Sequence, residues 1–530
     1  SKGGDFTAKD LTVNAEGSLL IEANGAVTVI NEITNQGNGD NFVVESDGNL
    51  IQIEDEAMNS GSITAERLVS DINNISTHMD YLYWSAPVTG QGLKAFSPGT
   101  PDNRIFQYNE PNDLFKAVPL ATEPNFVPGK GYAFRAESGT GISNPYSKTY
   151  KFKGVPNNGL IEREVQRSPN TGVAADVVHG YNLIGNPYPS NMSFEQFYQL
   201  NKDVIYNTAW FWTNNFFTPN QQGSGYGQNN YAVWNGTGGV AATTTAPADS
   251  NPSNPASNTT TPNGIVTVGQ GFIVQVKNLG LGQKVQFRNR NGNTPLRVST
   301  SGTFFSRQNE EKDRFWLKLI SADSIVNSQL IGYIDGATNG YEQDYDAELM
   351  SMSSDVFYSL LEDRRLQIQG KGAFDPSDKV QLGANIFKNG NYTIAIENPE
   401  GIFNAGQKVY LKDNLLNRWV DLNAQSYTFE ATKGITEGRF EIVYESPTVL
   451  ATDAVTKDEL MVYRDSGDFV VKAKSKKMTM LEVYDASGRL VYTTKPNDTK
   501  VVISGDRLNR GVYILKINQD GVVTGKKILK

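Results

Sequence analysis

Residues 458–530 consist of short segments in which apolar side chains recur at every second position. Leu481 and Val483 follow this pattern in one segment, and Leu515 and Ile517 follow it in another. A two-residue period indicates strands with one buried face. Turn-forming Gly, Asp, Asn and Pro residues separate the segments, which predicts a seven-stranded Ig-like sandwich. The predicted strands are Leu460–Arg464, Asp468–Ala473, Met478–Tyr484, Arg489–Thr494, Lys500–Ile503, Val512–Asn518 and Val522–Leu529.

Two motifs within this stretch resemble a known family. Val483–Val491 reads V-x-D-x-x-G-R-x-V, and Leu508–Ile517 reads L-x-x-G-x-Y-x-L-K-I ahead of a basic end. In both respects residues 458–530 resemble the type A C-terminal sorting domain of the Bacteroidota type IX secretion system. The Pro-Asn-Pro box that usually opens the family is replaced here by Met461–Ser466. A generic Ig-like terminal module is the alternative.

The resemblance implies where the chain is delivered. It implies a secreted or cell-surface, adhesin-like cargo protein that is exported across the outer membrane through the type IX translocon. A shuttle protein would bind the terminal domain and a sortase-like peptidase would remove it. The last strand is expected to present an edge that a partner can extend. The positions that match the motifs are the expected recognition residues, namely Gly488, Arg489, Gly511, Tyr513, Lys526, Lys527 and Lys530.

Composition narrows the remaining possibilities. The 530-residue chain has a net charge of −9, which disfavours nucleic acid as a partner because phosphate binding needs a basic face. Cysteine is absent, so thiolate metal sites and cysteine nucleophiles are excluded. No apolar run approaches the roughly 20 residues that span a bilayer, so the chain is not expected to be an integral membrane protein. No signal peptide is visible at Ser1–Asp5, and a processed or partial chain is expected.

Residues 1–75 contain apolar runs that recur after Gly-containing turns. Leu11–Ile21, Ala26–Gly37 and Phe42–Ile53 share one arrangement, and Asn59–Ile63 begins a further copy. Short strands between Asn-Gly or Asp-Gly turns are typical of a β-solenoid, in which each rung buries its apolar side on the next. The C-terminal rungs of a β-solenoid are therefore predicted, with an ordinary β-meander as the alternative.

Residues 76–300 contain a second and longer repeat, with copies at about 78–160 and 178–290. Each copy has an aromatic strand ending near Pro, a Gly-x-Gly turn before an aromatic residue, and a closing strand. This pattern predicts a duplicated β module. The second copy is longer because of residues 241–263, rich in Thr, Pro, Ser and Asn, and a solvated loop is predicted over 215–263. The matched segments are Tyr81–Val88 with Tyr181–Tyr188, Val127–Phe134 with Val268–Val274, and Tyr150–Gly154 with Val285–Asn289.

Residues 301–446 change to longer alternating segments, such as Arg314–Leu319 and Arg439–Tyr444. Such segments predict a jelly-roll-like β-sandwich. The sequence also resembles the β-sandwich that often precedes the sorting domain in large Flavobacterium-like surface proteins, through the combination of Tyr345–Glu348, Leu382–Gly383, Tyr410–Asp413 and Gly438–Phe440. Residues 447–457 fit neither neighbouring pattern and are predicted to be a linker.

Catalytic chemistry has little support in the sequence. His78 and His179 each lie two or three residues before the aromatic strand of their copy, which predicts a structural role with a hydrogen bond to the backbone. No Gly-x-Ser-x-Gly motif accompanies them. The Gly-x-Gly pairs lead into strands, which argues against a dinucleotide loop. The chain is therefore predicted not to be an enzyme and to need no cofactor.

Acidic and aromatic clusters leave two binding functions open. Glu342, Asp344, Asp346 and Glu348 would share one face of a strand, where solvation is expected and Ca²⁺ is the alternative.

An aromatic cluster near residues 215–263 could stack on sugar rings. Alternation places Trp210 and Trp212 on one face, which favours burial over a glycan platform that would also include Trp234. The alternative function is therefore a glycan-binding or glycan-degrading surface protein whose catalytic part lies upstream of residue 1.

Overall fold

A computed structural model describes residues 5–75, 78–138, 142–169, 179–214, 230–245, 261–299, 312–350, 352, 355–445, 460–465, 468–519 and 521–530. Strands dominate these ranges and only two short α-helices occur in them, so the all-β prediction is confirmed. No helix within them is long and apolar enough to cross a bilayer. The chain divides into two compact units, Ser1–Pro447 and Thr448–Lys530.

The first unit begins with a coil of parallel strands. Phe6 pairs with Val27, and Ala26 pairs with Asn49, so one turn of the coil takes about 21 to 23 residues. Three strands make up each turn, whereas the sequence repeats contain two, so those repeats are parts of turns and not whole rungs. The strands are β1 (Phe6–Ala8), β2 (Leu11–Val13), β3 (Leu19–Ile21), β4 (Ala26–Val29), β5 (Ile33–Asn35), β6 (Phe42–Val44), β7 (Asn49–Gln52) and β8 (Ile63–Ile72). They form the sheets β1-β4-β7, β2-β5 and β3-β6-β8.

The first copy of the repeat continues directly from this coil. Its closing strand pairs antiparallel with β8 over Tyr146–Gly154, which extends one sheet of the coil. The elements of this copy are β9 (Asn74–Ile75), β10 (His78–Met79), β11 (Tyr81–Trp84), β12 (Val88–Thr89), α1 (Leu93–Phe96), β13 (Ile105–Asn109), β14 (Leu114–Ala117), β15 (Tyr132–Arg135) and β16 (Tyr146–Pro156). Four of them form a sheet in the order β11-β15-β13-β14.

The second copy repeats this topology. Its main sheet has the order β18-β25-β20-β21-β22, which is the order of the first copy with one strand added. Helix α2 begins at Phe194 because Ser193 caps it by accepting from the Gln196 amide, and it buries Phe194 and Phe197. The elements are β17 (Ile161–Arg167), β18 (Tyr181–Gly185), β19 (Asn191–Ser193), α2 (Phe194–Asn201), β20 (Ile205–Trp212), β21 (Tyr231–Asn235), β22 (Gly239–Val240), β23 (Thr244–Thr245), β24 (Ile265–Val266), β25 (Gly271–Val276), β26 (Gly280–Phe287), β27 (Arg290–Asn291), β28 (Thr294–Pro295) and β29 (Arg297–Val298).

The two copies exchange backbone hydrogen bonds at their Gly-x-Gly turns. The amide of Ser85, in the first copy, donates to the Gly269 carbonyl of the second at 2.9 Å. The amide of Gly185, in the second copy, donates to the Gly129 carbonyl of the first at 3.1 Å. Each turn therefore binds the strand end of the other copy, and the relation is a pseudo-two-fold one.

The glycines of these turns make room for aromatic rings from the other copy. A Cβ atom on Gly129 would lie 3.0 Å from the ring of Phe287, and one on Gly269 would lie 2.9 Å from Phe152. Both glycines also have positive φ, at 74° and 77°, which side chains disfavour. The Gly-x-Gly pairs are thus positions of close approach between the copies.

The remaining strands of the first unit form one large sheet that folds over its own core. They are β30 (Asp313–Ile320), β31 (Ile325–Tyr333), β32 (Ala347–Glu348), β33 (Val356–Leu361), β34 (Arg364–Lys371), β35 (Lys379–Ile386), β36 (Gly390–Glu400), β37 (Tyr410–Asp413), β38 (Arg418–Asp421), β39 (Tyr427–Ala431) and β40 (Gly434–Val443). Their order is β38-β37-β40-β35-β33-β34-β31-β30-β36-β39, with β32 on β34 and β23 on β31, which makes twelve strands.

This twelve-stranded sheet curls until its two ends meet. The hydroxyl of Tyr427, in β39, donates to the Asp413 carboxylate of β37 at 2.8 Å, and the rings of Phe429 and Phe440 lie 4.6 Å apart. Strands β31 and β34 run parallel. The two layers predicted for a jelly-roll-like sandwich are therefore two halves of a single mixed sheet.

The predicted solvated loop over 215–263 was wrong for part of its length. Strands β21, β22 and β23 lie within it, and Ala241 to Thr244 are buried. These small side chains lie between two sheets, and the Thr243 hydroxyl donates to Asn327 at 2.8 Å. The segment is therefore buried although its sequence has no strong apolar pattern. Residues 215–229 and 246–260 of that loop, and the predicted linker 447–457, lie outside the described residues.

The second unit is the predicted seven-stranded sandwich. Its core contains Phe469, Val471, Leu481, Val483 and Leu515, which are the inward positions of the alternating segments. The strands are β41 (Leu460–Asp465), β42 (Asp468–Ala473), β43 (Met480–Asp485), β44 (Leu490–Thr494), β45 (Lys500–Ile503), β46 (Val512–Gln519) and β47 (Val522–Leu529). They form the antiparallel sheets β41-β42-β45 and β44-β43-β46-β47.

The contact between the two copies predicts an intolerance to any added methyl group. A Cβ atom on Gly185 would lie 2.4 Å from the Cβ atom of Ser85. Gly185→Ala should therefore lower the free energy of unfolding by about 1–3 kcal/mol through overpacking. The matched control is Gly340→Ala, where the nearest atom to the new methyl group is 3.7 Å away. Equal chemical denaturation midpoints for both variants would contradict the close packing of the copies.

Candidate functional site

The first of the two sequence motifs in the second unit folds into a turn held by its own aspartate. The Asp485 carboxylate accepts the amides of Ser487 and Arg489, each at 3.0 Å, and pairs with the Arg489 guanidinium at 3.0 Å. Hydrogen bonds from Ser487 and Arg489 lower the pKa of Asp485 to about 2. Gly488 has φ of 80°, which explains the glycine in the motif.

The second motif holds the last strand in place. Gly511 and Lys530 exchange backbone hydrogen bonds of 3.0 and 3.1 Å. The buried ring of Tyr513 lies opposite Ile528 of β47, and its hydroxyl donates to the Asn509 carbonyl at 3.0 Å. Gly511 and Tyr513 therefore act together on the final strand, whereas Gly488 and Arg489 shape a different turn.

Strand β47 is the edge of its sheet and carries two of the predicted lysines. Lys527 lies opposite Ile514 on the outer face, and Lys526 lies opposite the buried Leu515. Residues directly opposite one another share a face of the sheet, so the Lys526 side chain lies on the core side of an exposed edge. An inward charge on an edge strand disfavours pairing with another edge.

The second unit is basic, although the chain as a whole is acidic. Residues 448–530 hold 15 Lys and Arg and 10 Asp and Glu, out of 48 and 57 in the chain. Their net charge is therefore +5, and the net charge of residues 1–447 is −14. Of the basic side chains within the described part of the second unit, only Arg489 is in an ion pair. Lys472 and Lys500 even lie directly opposite each other on neighbouring strands.

The three tryptophans of the candidate glycan platform do not share a surface. Trp210 is buried, and its face of β20 packs on the twelve-stranded sheet. Trp212 is half-buried on the same face, stacks on Tyr83 at 5.4 Å and donates to the Tyr81 carbonyl at 2.9 Å. Trp234 packs against Phe194 on the opposite face of the sheet. Trp210 and Trp212 thus pack the second copy against its neighbours, whereas Trp234 packs within the copy.

The acidic stretch Glu342–Glu348 is not one strand, and the prediction that its carboxylates share a face was wrong. A turn occupies residues 343–345, and only Ala347–Glu348 forms a strand. The four carboxylates therefore have different partners: Thr338 for Glu342, Asn207 and Lys277 for Asp344, the Glu342 and Gly370 amides for Asp346, and Arg364 for Glu348. Within the described ranges no group of three or more His, Asp or Glu is arranged to hold a metal ion.

His179 lies in a buried polar cluster at the junction of the two copies. Its Nδ1 atom is 3.3 Å from the carbonyl of Glu110, in the first copy. The Glu110 carboxylate in turn accepts the amides of Ser168 and Gly180, each at 2.8 Å. His179, which lies just before β18, thus contacts a backbone carbonyl of the first copy, as a structural residue would. The side chain of His78 lies outside the described ones.

Comparison with known proteins divides the chain at the same place as the fold. The model of DUF8693, a domain of unknown function, matches residues 2–444. The chain belongs to the DUF8693 family. The model of a second domain of unknown function, DUF8694, matches residues 450–530. The boundary between the two matched domains therefore falls at the end of the first unit. No curated protein matches the chain.

Two solved structures show low similarity to this DUF8693 protein. PorZ of Porphyromonas gingivalis, an essential bacterial surface component of the type-IX secretion system, is 11% identical with a TM-score of 0.12. The alignment covers 46% of this chain and 48% of PorZ, about half of its length. The BSP domain of a biofilm associated protein is 10% identical with a TM-score of 0.11, over 87% of this chain and 97% of that one. Scores at this level establish no shared fold.

Sequence reasoning missed a fully buried arginine that joins the second copy to the coil. The guanidinium of Arg297 donates to the Leu50 carbonyl of β7, to Ser190 at 3.0 Å and to Asn289 at 3.1 Å. Its Cζ atom lies 4.7 Å from the centre of the Tyr188 ring. Burial lowers the pKa of Arg297 to about 10. The polar side chains around it are far apart in sequence, so no local sequence pattern predicts this cluster.

Asp346 predicts a pH dependence of stability for the first unit. Burial raises the pKa of its carboxyl to about 7, above the 3.8 expected in an unfolded chain. The folded state therefore binds the proton more tightly, and the stability this provides is lost as pH rises towards 7. Between pH 5 and pH 8 the free energy of unfolding of the parent chain, measured by urea denaturation, should fall by on the order of 2 kcal/mol. Asp346→Asn should remove this fall.

The control for this measurement is Asp344→Asn, which removes a carboxylate two residues away in the same turn. An equal flattening of the pH profile in both variants would contradict the assignment to Asp346.

Proposed function

We propose that this protein is a non-enzymatic, adhesin-like cargo that is exported across the outer membrane by a type IX secretion system. Residues 448–530 are its export domain, and the acidic first unit is the part delivered to the cell surface or the medium. The translocon, its shuttle protein and a sortase-like peptidase are the proposed partners.

The observation that carries this proposal is the way the second motif presents β47. Gly511 holds the chain end through two backbone hydrogen bonds, and the buried Tyr513 packs opposite Ile528 of the same strand. The motif residues that suggested a sorting domain thus fix the position of the last strand. An edge strand fixed in this way is a defined element that an export receptor can read.

Charge supports the same division of roles. Lysines without ion pairs give the second unit a basic surface, whereas the first unit has a net charge of −14. A receptor with an acidic patch would be attracted to the second unit and repelled by the first. Such a receptor could then distinguish the second unit from the first by charge, without contacting the first unit.

The proposal predicts that reversing charge on β47 blocks export. The double variant Lys526→Glu and Lys527→Glu should reduce the amount of protein outside the cell by about tenfold, because like charges would face an acidic receptor. The protein is expressed in a Bacteroidota strain with a functional type IX system, and periplasm, cell surface and medium are compared by immunoblotting.

The matched control is Lys516→Glu on β46, an exposed lysine on the neighbouring strand that does not lie at the edge. It should be exported normally. Deletion of Gly521–Lys530 should retain the protein in the periplasm. Normal export of that truncation would refute the proposed function.

A further inference from the structure

Strand β14 of the first copy is an open edge. It is the last strand in the sheet β11-β15-β13-β14, and all four of its residues are exposed. Leu114 is 64% exposed and Phe115 is 37% exposed, although the Phe115 ring also contacts Tyr83 and Tyr108. An apolar edge strand with nothing beside it in the described part of the chain is unusual for a soluble fold.

The second copy contains the equivalent strand in a completed form. Phe106 pairs with Ala133 in the first copy, as Trp210 pairs with Ile273 in the second. Phe106 in turn pairs with Ala117, and Trp210 pairs with Val233, so Ala117 is equivalent to Val233. By the same register Phe115 is equivalent to Tyr231. Strand β14 therefore corresponds to β21.

Strand β21 is covered by a short antiparallel strand. Val233 pairs with Val240 and Trp234 pairs with Gly239, so β22 completes the sheet. Both Val233 and Val240 are buried, at 1% and 0% exposure. The duplicated fold thus shows which kind of element occupies this edge: an extended segment with a β-branched side chain beside a glycine.

The backbone of β14 is oriented to accept such a segment. The Val118 amide donates to the Ile105 carbonyl, which makes 105 and 118 a hydrogen-bonded pair. Hydrogen-bonded positions alternate in an antiparallel ladder, so Lys116 and Leu114 also point their backbone groups at β13. The N–H and C=O groups of Phe115 and Ala117 consequently point away from the sheet, towards the open edge.

We infer that β14 is a docking edge for an extended peptide from another protein, which adds antiparallel as a fifth strand. The peptide places a β-branched apolar side chain opposite Ala117, as Val240 lies opposite Val233. A second copy of this chain fits less well, because β14 against β14 would join only four residues from each side, which is far below the area of a stable dimer.

The test uses a phage-displayed library of random octapeptides selected on the full chain. Selected peptides should carry Val, Ile or Thr at alternating positions, and synthetic versions should bind at least about tenfold more weakly to Ala117→Pro. Proline there removes an outward N–H and leaves the hydrogen bonds to β13 intact. Lys116→Ala is the matched control and should bind as the parent chain does.

A second measurement does not depend on the folding of the variant. N-methylation of the peptide's β-branched residue should abolish binding to the unaltered chain, and bound peptide should slow hydrogen exchange at the amides of Phe115 and Ala117. The inference is overturned if no peptide is selected, or if selected peptides bind Ala117→Pro unchanged. It is also overturned if both amides are already protected in the free chain, or if the free chain forms a dimer that Ala117→Pro dissolves.

Discussion

The first unit depends on a reciprocal exchange between the two copies of its repeat. Each Gly-x-Gly turn supplies a carbonyl to the strand end of the other copy, and each turn lies against a phenylalanine from the other copy. Because the exchange runs in both directions, neither copy has its complete hydrogen bonding alone. The duplicated region is therefore one interlocked body, although its sequence contains two similar segments.

Both neighbours of this body contact its second copy, and the coil also shares a sheet with the first copy through β8 and β16. One face of the β20 sheet, with Trp210 and Val233, packs on Trp316 and Leu330 of the twelve-stranded sheet. On another side, the Arg297 guanidinium reaches the Leu50 carbonyl of the coil. The aromatic face and the buried cation of the second copy thus contact two different neighbours. The first copy has the equivalent sheet, but its strand β14 lies at an open edge.

Much of the fold can be predicted from the sequence, but only where the pattern is local. The seven strands of the second unit alternate between buried and exposed residues, as Leu481 and Val483 do, and turns mark their ends. The length of a turn in the coil could not be predicted, because Phe6 pairs with Val27, far along the chain. Acidic residues at every second position from Glu342 imitate a strand, whereas local backbone hydrogen bonds from Tyr345 and Asp346 to the Glu342 carbonyl form a turn.

The motif residues of the second unit can be identified in the sequence, but their separate structural roles cannot. In the folded protein Gly511 and Tyr513 hold the last strand, whereas Gly488 and Arg489 close a separate turn. The placement of Lys526 has a further consequence for contacts between molecules of this protein. A neighbouring molecule that approached β47 edge to edge would have to strip water from an ammonium group without offering it a counter-charge. Edge-to-edge pairing with a partner that offers no counter-charge is therefore disfavoured at β47, and pairing with a surface that brings a carboxylate of its own is favoured.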